Sequence, residues 1–136
     1  MHIAGVRHLI LLALSSPHRK TPRLIFLSSV AAVGEYRGPS QMVSPGKEIE
    51  QIIVPEEPID DPSIPFNQGY GQGKYVSERV IVKAVQAGLQ ATIVRVGQLS
   101  GVTTNGAWNL NEHVPIVLRS SIALGMIPND FPVSVS

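Results

Sequence analysis

Two apolar segments that do not alternate with polar residues constrain the fold of this chain most. Residues 23–28 read Arg-Leu-Ile-Phe-Leu-Ser, and residues 91–96 read Ala-Thr-Ile-Val-Arg-Val. Strands of this kind are typical of parallel sheets that are covered on both faces. Segments with helical periodicity precede, separate and follow them, at residues 2–15, 70–88 and 112–124. This order predicts an α/β fold, with a parallel sheet whose strands are joined by crossover helices.

The connection between the first strand and the middle helix is long and irregular. Residues 34–69 are rich in Gly and Pro and include an acidic stretch at residues 54–62. A loop of this length within a compact domain is usually functional or disordered. The helix that follows has a predicted buried stripe, formed by Val76, Val80, Ala84 and Ala87.

Only two strong strands are present, whereas a doubly wound domain has several more. The first helix has no strand before it, and residues 131–136 stop where another extended segment is predicted to begin. We therefore expect residues 1–136 to be the central, catalytic part of one Rossmann-like domain. We expect this domain to be truncated at both ends and to lack its N-terminal cofactor-binding half.

The composition argues against several classes of function. The 136 residues carry a formal net charge of +1 with mixed signs, which gives no electrostatic attraction to nucleic acid or to an anionic membrane. The absence of Cys excludes disulfides and fits a reducing compartment, so we expect a cytoplasmic protein. The first apolar run is short for a signal peptide and far too short to span a bilayer. The histidines show no metal-ligand spacing, so no metal site is predicted.

Tyr70 and Lys74 are the most informative pair for function. On one helix, side chains four residues apart face the same way. The ammonium favours the phenolate, so the tyrosine can exchange a proton at a lower pH. Ser28 and Ser29 end a buried strand, where open α/β sheets bind their ligands, although serines there can also simply cap the strand end. A Tyr, a Lys and a Ser in this relation predict a carbonyl-reducing site.

The glycines around Tyr70 also suggest a phosphate-binding loop, which the spacing excludes. The Walker pattern requires Gly where Gln68 stands, and Ser or Thr where Tyr75 stands. The dinucleotide fingerprint Gly-x-Gly-x-x-Gly requires a preceding strand, and none is predicted before Gly69. The sequence therefore lacks the glycine-rich turn that holds a dinucleotide.

Three segments together resemble the extended short-chain dehydrogenase/reductase superfamily: residues 26–34, 70–79 and 92–101. The segment Gly-Ala-Trp-Asn at residues 106–109, followed by Val-Pro and by Ile-Ala-Leu-Gly at residues 122–125, narrows the resemblance. It looks like the thioester reductase domain, a male-sterility-type NAD(P)-binding domain. This domain ends fungal adenylate-forming reductases, which are similar to nonribosomal peptide synthetases and aminoadipate reductases.

The resemblance implies an activity. Such domains use NADPH to reduce an acyl group that is thioester-linked to the phosphopantetheine arm of a carrier domain, and they release an aldehyde or an alcohol. Carried over by position, Tyr70 would donate the proton to the developing alkoxide. Lys74 would lower the pKa of Tyr70 and hold the nicotinamide ribose. Ser29, five residues before Gly34, matches the carbonyl-orienting hydroxyl better than Ser28 does.

Further along the chain, Gly97 and Gln98 match the segment that passes the nicotinamide. Two departures from the family pattern stand out. The family often has Ser or Thr where this chain has Gly73, and the glycine-rich turn with the basic residues that choose NADPH is absent. Because hydride transfer requires a firmly held nicotinamide, we expect little activity from the chain alone and a need for the missing N-terminal half.

Two other functions remain open from the sequence. The chain can be a reductase-like binding module without catalysis, which associates with a complementary half or a carrier protein. It can also be part of another extended short-chain dehydrogenase, such as a sugar-nucleotide epimerase or dehydratase, because these enzymes share the same three residues.

Overall fold

The computed structural model describes residues 2–17, 22–38 and 53–129. These residues form three α-helices, two strands and one short 3-10 helix: α1 (His2–Ser15), β1 (Arg23–Ser29), the 3-10 helix (Val30–Ala32), α2 (Gly69–Gln86), β2 (Gln90–Val96) and α3 (His113–Leu124). The strands are parallel, with Arg23 opposite Gln90 and Ser29 opposite Val96. The predicted α/β class with a parallel sheet is confirmed.

The element bounds lie within two residues of the prediction. The helix ends follow local rules, since Gly125 ends α3 in the left-handed conformation at φ 66° and donates its N–H to the carbonyl of Ser121. The chain divides into two compact units, Met1–Val96 and Gly97–Ser136. The first unit contains the sheet, α1 and α2, and the second contains α3.

Helices α1 and α2 cover the same face of the sheet. Their shared core contains the buried residues Val6, Ile10, Ile81, Ala84 and Leu89, with Leu24, Phe26, Ala91 and Ile93 of the strands packed against it. Successive residues of a strand point to opposite faces, so the alternate residues lie on the other side. These residues are exposed: Ile25 by 65%, Leu27 by 60% and Val94 by 41%. The strands have the sequence pattern of doubly buried ones, but the described residues cover only one face of the sheet.

A second cluster holds the start of α2 against the 3-10 helix. It contains the buried residues Ala32, Val33, Ile64 and Tyr75. The backbone N–H of Phe66 donates to the carbonyl of Ala31 at 3.0 Å. The described parts of the predicted loop, residues 34–38 and 53–68, contain neither helix nor strand, and its remainder lies outside the described residues.

The buried stripe of α2 differs from the predicted one. Ala84 is buried as predicted and Val80 packs half-buried against the same core, but Val76 is 40% exposed and Ala87 is also exposed. The buried positions include the polar residues Ser77 and Glu78. A stripe drawn through apolar residues alone misses them, because their burial depends on hydrogen bonds rather than on hydrophobicity.

Candidate active site

Lys74 lies beside the carboxyl end of β1. Its Nζ donates a hydrogen bond to the carbonyl oxygen of Leu27 at 2.6 Å. The same ammonium is 4.9 Å from the ring centroid of Phe26 and 5.7 Å from that of Tyr70. Both distances are within the range of cation–π attraction. The helix therefore presents Tyr70 and Lys74 on one face, and Lys74 joins that face to the strand.

Tyr70 lies in the first turn of α2, with 54% of its surface exposed. The turn is placed by the close approach of its neighbour Gly71 to the 3-10 helix. A Cβ at Gly71 would lie 2.6 Å from the carbonyl oxygen of Ala31, which only glycine allows without movement. Because Ala31 is two residues after Ser29, this packing brings the start of α2 to the end of β1.

Ser28 and Ser29 have different surroundings. Ser28 is buried, and its hydroxyl donates to a carboxylate oxygen of Glu78. Ser29 is half-buried, and its Oγ accepts the N–H of Ala31 at 3.2 Å, which caps the 3-10 helix. A hydroxyl that accepts one bond keeps its own proton for a further acceptor. Of the two, Ser29 is the hydroxyl that can present a donor to a ligand.

A buried ion pair between Glu78 and Arg95, which was not predicted from the sequence, lies next to Ser28. Glu78 is 4% exposed, and its carboxylate accepts from Nη2 of Arg95 at 2.8 Å and from Nε at 3.2 Å to each oxygen. Arg95 Nη1 also donates to the carbonyl of Pro55 at 3.2 Å. The signal in the sequence is a single charge inside the apolar strand at residues 91–96, since a buried charge requires a partner.

Tyr75 is a second tyrosine near the site and has a different environment. It is buried in the cluster formed with Ala32, Val33 and Ile64. Burial raises the pKa of its phenol, and the Arg79 guanidinium opposes this rise. Its surroundings therefore hold Tyr75 neutral, in a structural position.

The remaining predicted residues belong to the second unit. Gly97 and Gln98 directly follow β2, and Nε2 of Gln98 donates to the carbonyl of Leu99 at 3.0 Å. In the same unit, Trp108 is half-buried, and Gly101 lies against its Cβ and the carbonyl of Ala107.

The structure agrees with the rejection of a phosphate-binding loop at residues 69–74. Both loop types require a strand directly before the glycines, and residues 53–68 contain none. Within the described ranges, no group of three or more His, Asp or Glu side chains is arranged to hold a metal. None of the described helices has the length and apolar character required to cross a membrane.

Comparisons with known proteins agree with this architecture. The family described as male sterility protein, a family of NAD-binding domains, matches residues 1–134. The adenylate-forming reductase Nps9 of Serpula lacrymans var. lacrymans is 38% identical over 128 residues, which cover 94% of this chain and 10% of the relative. The carboxylic acid reductase of Neurospora crassa is 35% identical over 130 residues, 94% of this chain and 11% of that protein.

A further relative is the 3-methylorcinaldehyde synthase of Phoma sp., with 37% identity over 108 residues, 77% of this chain and 4% of that protein. The chain thus spans about a tenth or less of the length of these relatives. No solved structure gives a significant match. A family match over nearly the whole chain, together with these identities, shows that the chain belongs to the male sterility protein family of NAD-binding domains.

Proposed function

We propose that this chain carries the proton-donating and carbonyl-orienting residues of an NADPH-dependent thioester reductase. The substrate is an acyl group held as a thioester on the phosphopantetheine arm of a carrier domain, and the product is an aldehyde or an alcohol. Membership of an NAD-binding family supports the nicotinamide cofactor. The names of the relatives, which include a carboxylic acid reductase and an aldehyde synthase, support reduction at the acyl level.

The observation that carries the proposal is that Lys74 lies at the carboxyl end of β1, the strand that Ser29 ends, and near the ring of Tyr70. Lys74 contacts Leu27, two residues before Ser29, and lies near the ring of Tyr70. Open α/β sheets bind their ligands at this end of the strands. A hydroxyl, a phenol and an ammonium brought together at this end of the strand would suit a carbonyl oxygen and the hydroxyls of a ribose.

Each side chain has a distinct task in the proposed reaction. When bound, NADPH supplies a hydride to the thioester carbon. Ser29 donates a hydrogen bond that orients the carbonyl oxygen, and Tyr70 donates its proton to that oxygen as negative charge develops there. The hemithioacetal so formed would break its C–S bond while its hydroxyl proton passes to the leaving sulfur, which gives the aldehyde and the free thiol. Lys74 holds the nicotinamide ribose through its ammonium.

The described residues suit the nicotinamide end of the cofactor better than its pyrophosphate end. The described residues offer no glycine-rich turn after a strand, so the pyrophosphate has no cradle among them. Most of the binding free energy of a dinucleotide comes from such contacts remote from the reacting atoms. We therefore propose that the chain alone binds NADPH weakly and has little activity, and that a glycine-rich half completes the site.

A chimera tests this proposal. The chain replaces the segment that it matches in the adenylate-forming reductase Nps9, and NADPH oxidation is followed with a panel of acyl phosphopantetheine thioesters. The chimera is expected to form aldehyde, and Tyr70→Phe is expected to lower kcat by roughly 10²–10⁴-fold, as for loss of a general acid. Tyr36→Phe is the matched control, because Tyr36 is a partly buried tyrosine that packs against the second cluster.

The other functions predict different results when the chimera is also assayed with sugar nucleotides and the purified chain is assayed alone. A folded chimera in which Tyr70→Phe reduces thioesters as fast as the unmodified chimera would overturn the proposal and favour a binding module. Turnover of sugar nucleotides with no thioester reduction would favour an epimerase or dehydratase. Robust aldehyde formation by the purified chain alone would contradict the requirement for a second half.

A further inference from the structure

A buried carboxylate connects the ends of both strands to α2. Glu78 accepts a hydrogen bond from Ser28 at the end of β1 and a forked ion pair from Arg95 near the end of β2. These donors occupy both oxygens of a carboxylate that is almost fully removed from water. Removing a partner from such a group leaves an uncompensated polar atom in the interior. The three side chains therefore form one hydrogen-bonded network.

Glu78 is also in register with the proposed active site. It lies four residues after Lys74, so the two side chains share one face of α2, about 6 Å apart along the helix axis. Lys74 contacts the carbonyl of Leu27, and Glu78 contacts the hydroxyl of Ser28. Successive turns of the helix are thus attached to successive residues of the strand. Both attachments oppose rotation of the helix about its axis, in addition to the packing of Ile81 and Tyr75 in the two clusters.

The same side-chain network is also hydrogen-bonded to the segment that leads into α2. The Nη1 of Arg95 donates to the carbonyl of Pro55 at 3.2 Å, at the beginning of the described segment 53–68. At its other end, this segment is hydrogen-bonded to the 3-10 helix through Phe66 and then enters the helix at Gly69. One guanidinium therefore bridges β2, the buried carboxylate and the approach to Tyr70.

We propose that Glu78 is a positioning residue, which through Ser28 and Arg95 fixes the rotation of α2 and thereby the placement of Lys74 beside the end of β1. The inference rests on the proposed function for its catalytic meaning, because Lys74 matters as a ribose-binding ammonium there. The placement itself is independent of that function. Without the Glu78 attachment, the helix turns relative to the strand, and the ammonium leaves the Leu27 carbonyl.

The test measures the accessibility of Lys74 directly. The full chain at low concentration is treated with an amine-acetylating reagent, and the rate of Lys74 is divided by that of Lys83 by mass spectrometry. Lys83 is exposed on the same helix and serves as internal reference. We expect Glu78→Gln to raise this ratio several-fold while the far-UV circular dichroism spectrum stays native. Asp60→Asn, which removes the ion pair between Asp60 and Arg79, is expected to leave the ratio unchanged.

The outcomes separate positioning from stability alone. A purely structural Glu78 would lower the unfolding temperature but leave the Lys74 ratio of the folded protein at the wild-type value, which would overturn the inference. If Glu78→Gln does not fold, Ser28→Ala decides by the same measurement, with a raised ratio in support and an unchanged ratio against. Because acetylation requires no reductase activity, the result stands whether or not the thioester reductase proposal survives.

Discussion

Ser28 and Ser29 are adjacent in sequence, but their hydroxyls have different hydrogen-bond partners. The hydroxyl of Ser28 is committed to Glu78, and that of Ser29 has a proton to offer at the surface. In the chimera with Nps9, we predict that Ser29→Ala lowers kcat by roughly 10²–10³-fold, as for loss of an oxyanion-stabilising donor. Its unfolding temperature should change little, because the lost cap serves only a short 3-10 helix. NADPH oxidation and thermal unfolding measure the two effects.

Ser28→Ala is the matched variant: its unfolding temperature should fall, and its kcat should fall less than that of Ser29→Ala, because it acts only through the placement of Lys74. It leaves a lone pair of the buried Glu78 carboxylate without its hydrogen bond, which costs about 1–3 kcal/mol in the free energy of unfolding. Loss of NADPH oxidation in Ser28→Ala together with full activity in Ser29→Ala would assign the carbonyl-orienting role to Ser28 instead.

Tyr75 should make the free energy of unfolding fall at alkaline pH. Burial raises the pKa of its phenol above the ordinary value, the Arg79 guanidinium opposes this, and the carboxylates of Asp60 and Asp61 add to it. Below about pH 10 the phenol is neutral in both the folded and the unfolded chain, so its contribution is fully present. As the pH rises further, the unfolded chain ionises first. The free energy of unfolding therefore falls until the folded-state pKa is passed.

Thermal unfolding of the wild type and Tyr75→Phe checks this limit between about pH 8 and about pH 11. Phenylalanine keeps the ring in the core and removes the titrating group, so the variant should lose less of its unfolding temperature over this interval. Parallel curves for the two proteins would show that Tyr75 does not titrate differently on folding.

At the scale of elements, the contact between α2 and the 3-10 helix depends on the absence of a Cβ at Gly71. We predict that Gly71→Ala destabilises the chain by about 1–3 kcal/mol, because its Cβ meets the Ala31 carbonyl and overpacks the junction. Gly73 lies two residues later in the same helix, and a Cβ there meets nothing within 4 Å. Gly73→Ala is therefore expected to stabilise by about 0.5–1 kcal/mol through helix propensity. Urea unfolding measures both, and equal effects would contradict the close approach.

The elements that the sequence predicted well are those specified by local rules. The ends of α2 and α3 follow from Gly88 and Gly125, and the pairing of Tyr70 with Lys74 follows from their spacing on one helix. The contact of Lys74 with Leu27 joins residues 47 positions apart, and helix periodicity gives no information about it.

The buried stripe of α2 was mispredicted for the same reason. The buried carboxylate of Glu78 is compensated by an ion pair with Arg95, which lies 17 residues away on another element. A charged residue on a helix is ordinarily assigned to the solvent face, and only its distant partner reverses that assignment. The charge within β2 was the available sign, but the sequence does not say which acidic residue it pairs with.

At the scale of the whole molecule, the sheet of the first unit is packed on one face and exposed on the other, as far as the described residues show. Two helices cover Phe26 and Ile93, whereas Ile25, Leu27 and Val94 point the other way and are exposed. Apolar residues that adjoin on a two-stranded sheet form a continuous patch, which is a typical site of association. Within residues 2–17, 22–38 and 53–129, each strand pairs on one edge only, and a strand edge without a partner adds to this tendency.

We therefore predict that the purified chain self-associates with increasing concentration, and that Ile25→Lys shifts it toward the monomer. A lysine on this face breaks the patch and resists stacking of one sheet on another, because burying its charge is costly. Ile53→Lys is the matched control, since Ile53 is 78% exposed and lies on the segment before α2 rather than on the sheet. Sedimentation velocity over a concentration series distinguishes the variants. If both lysines act equally, association depends on net charge rather than on this face, and a strictly monomeric wild type would show that the face is compatible with water.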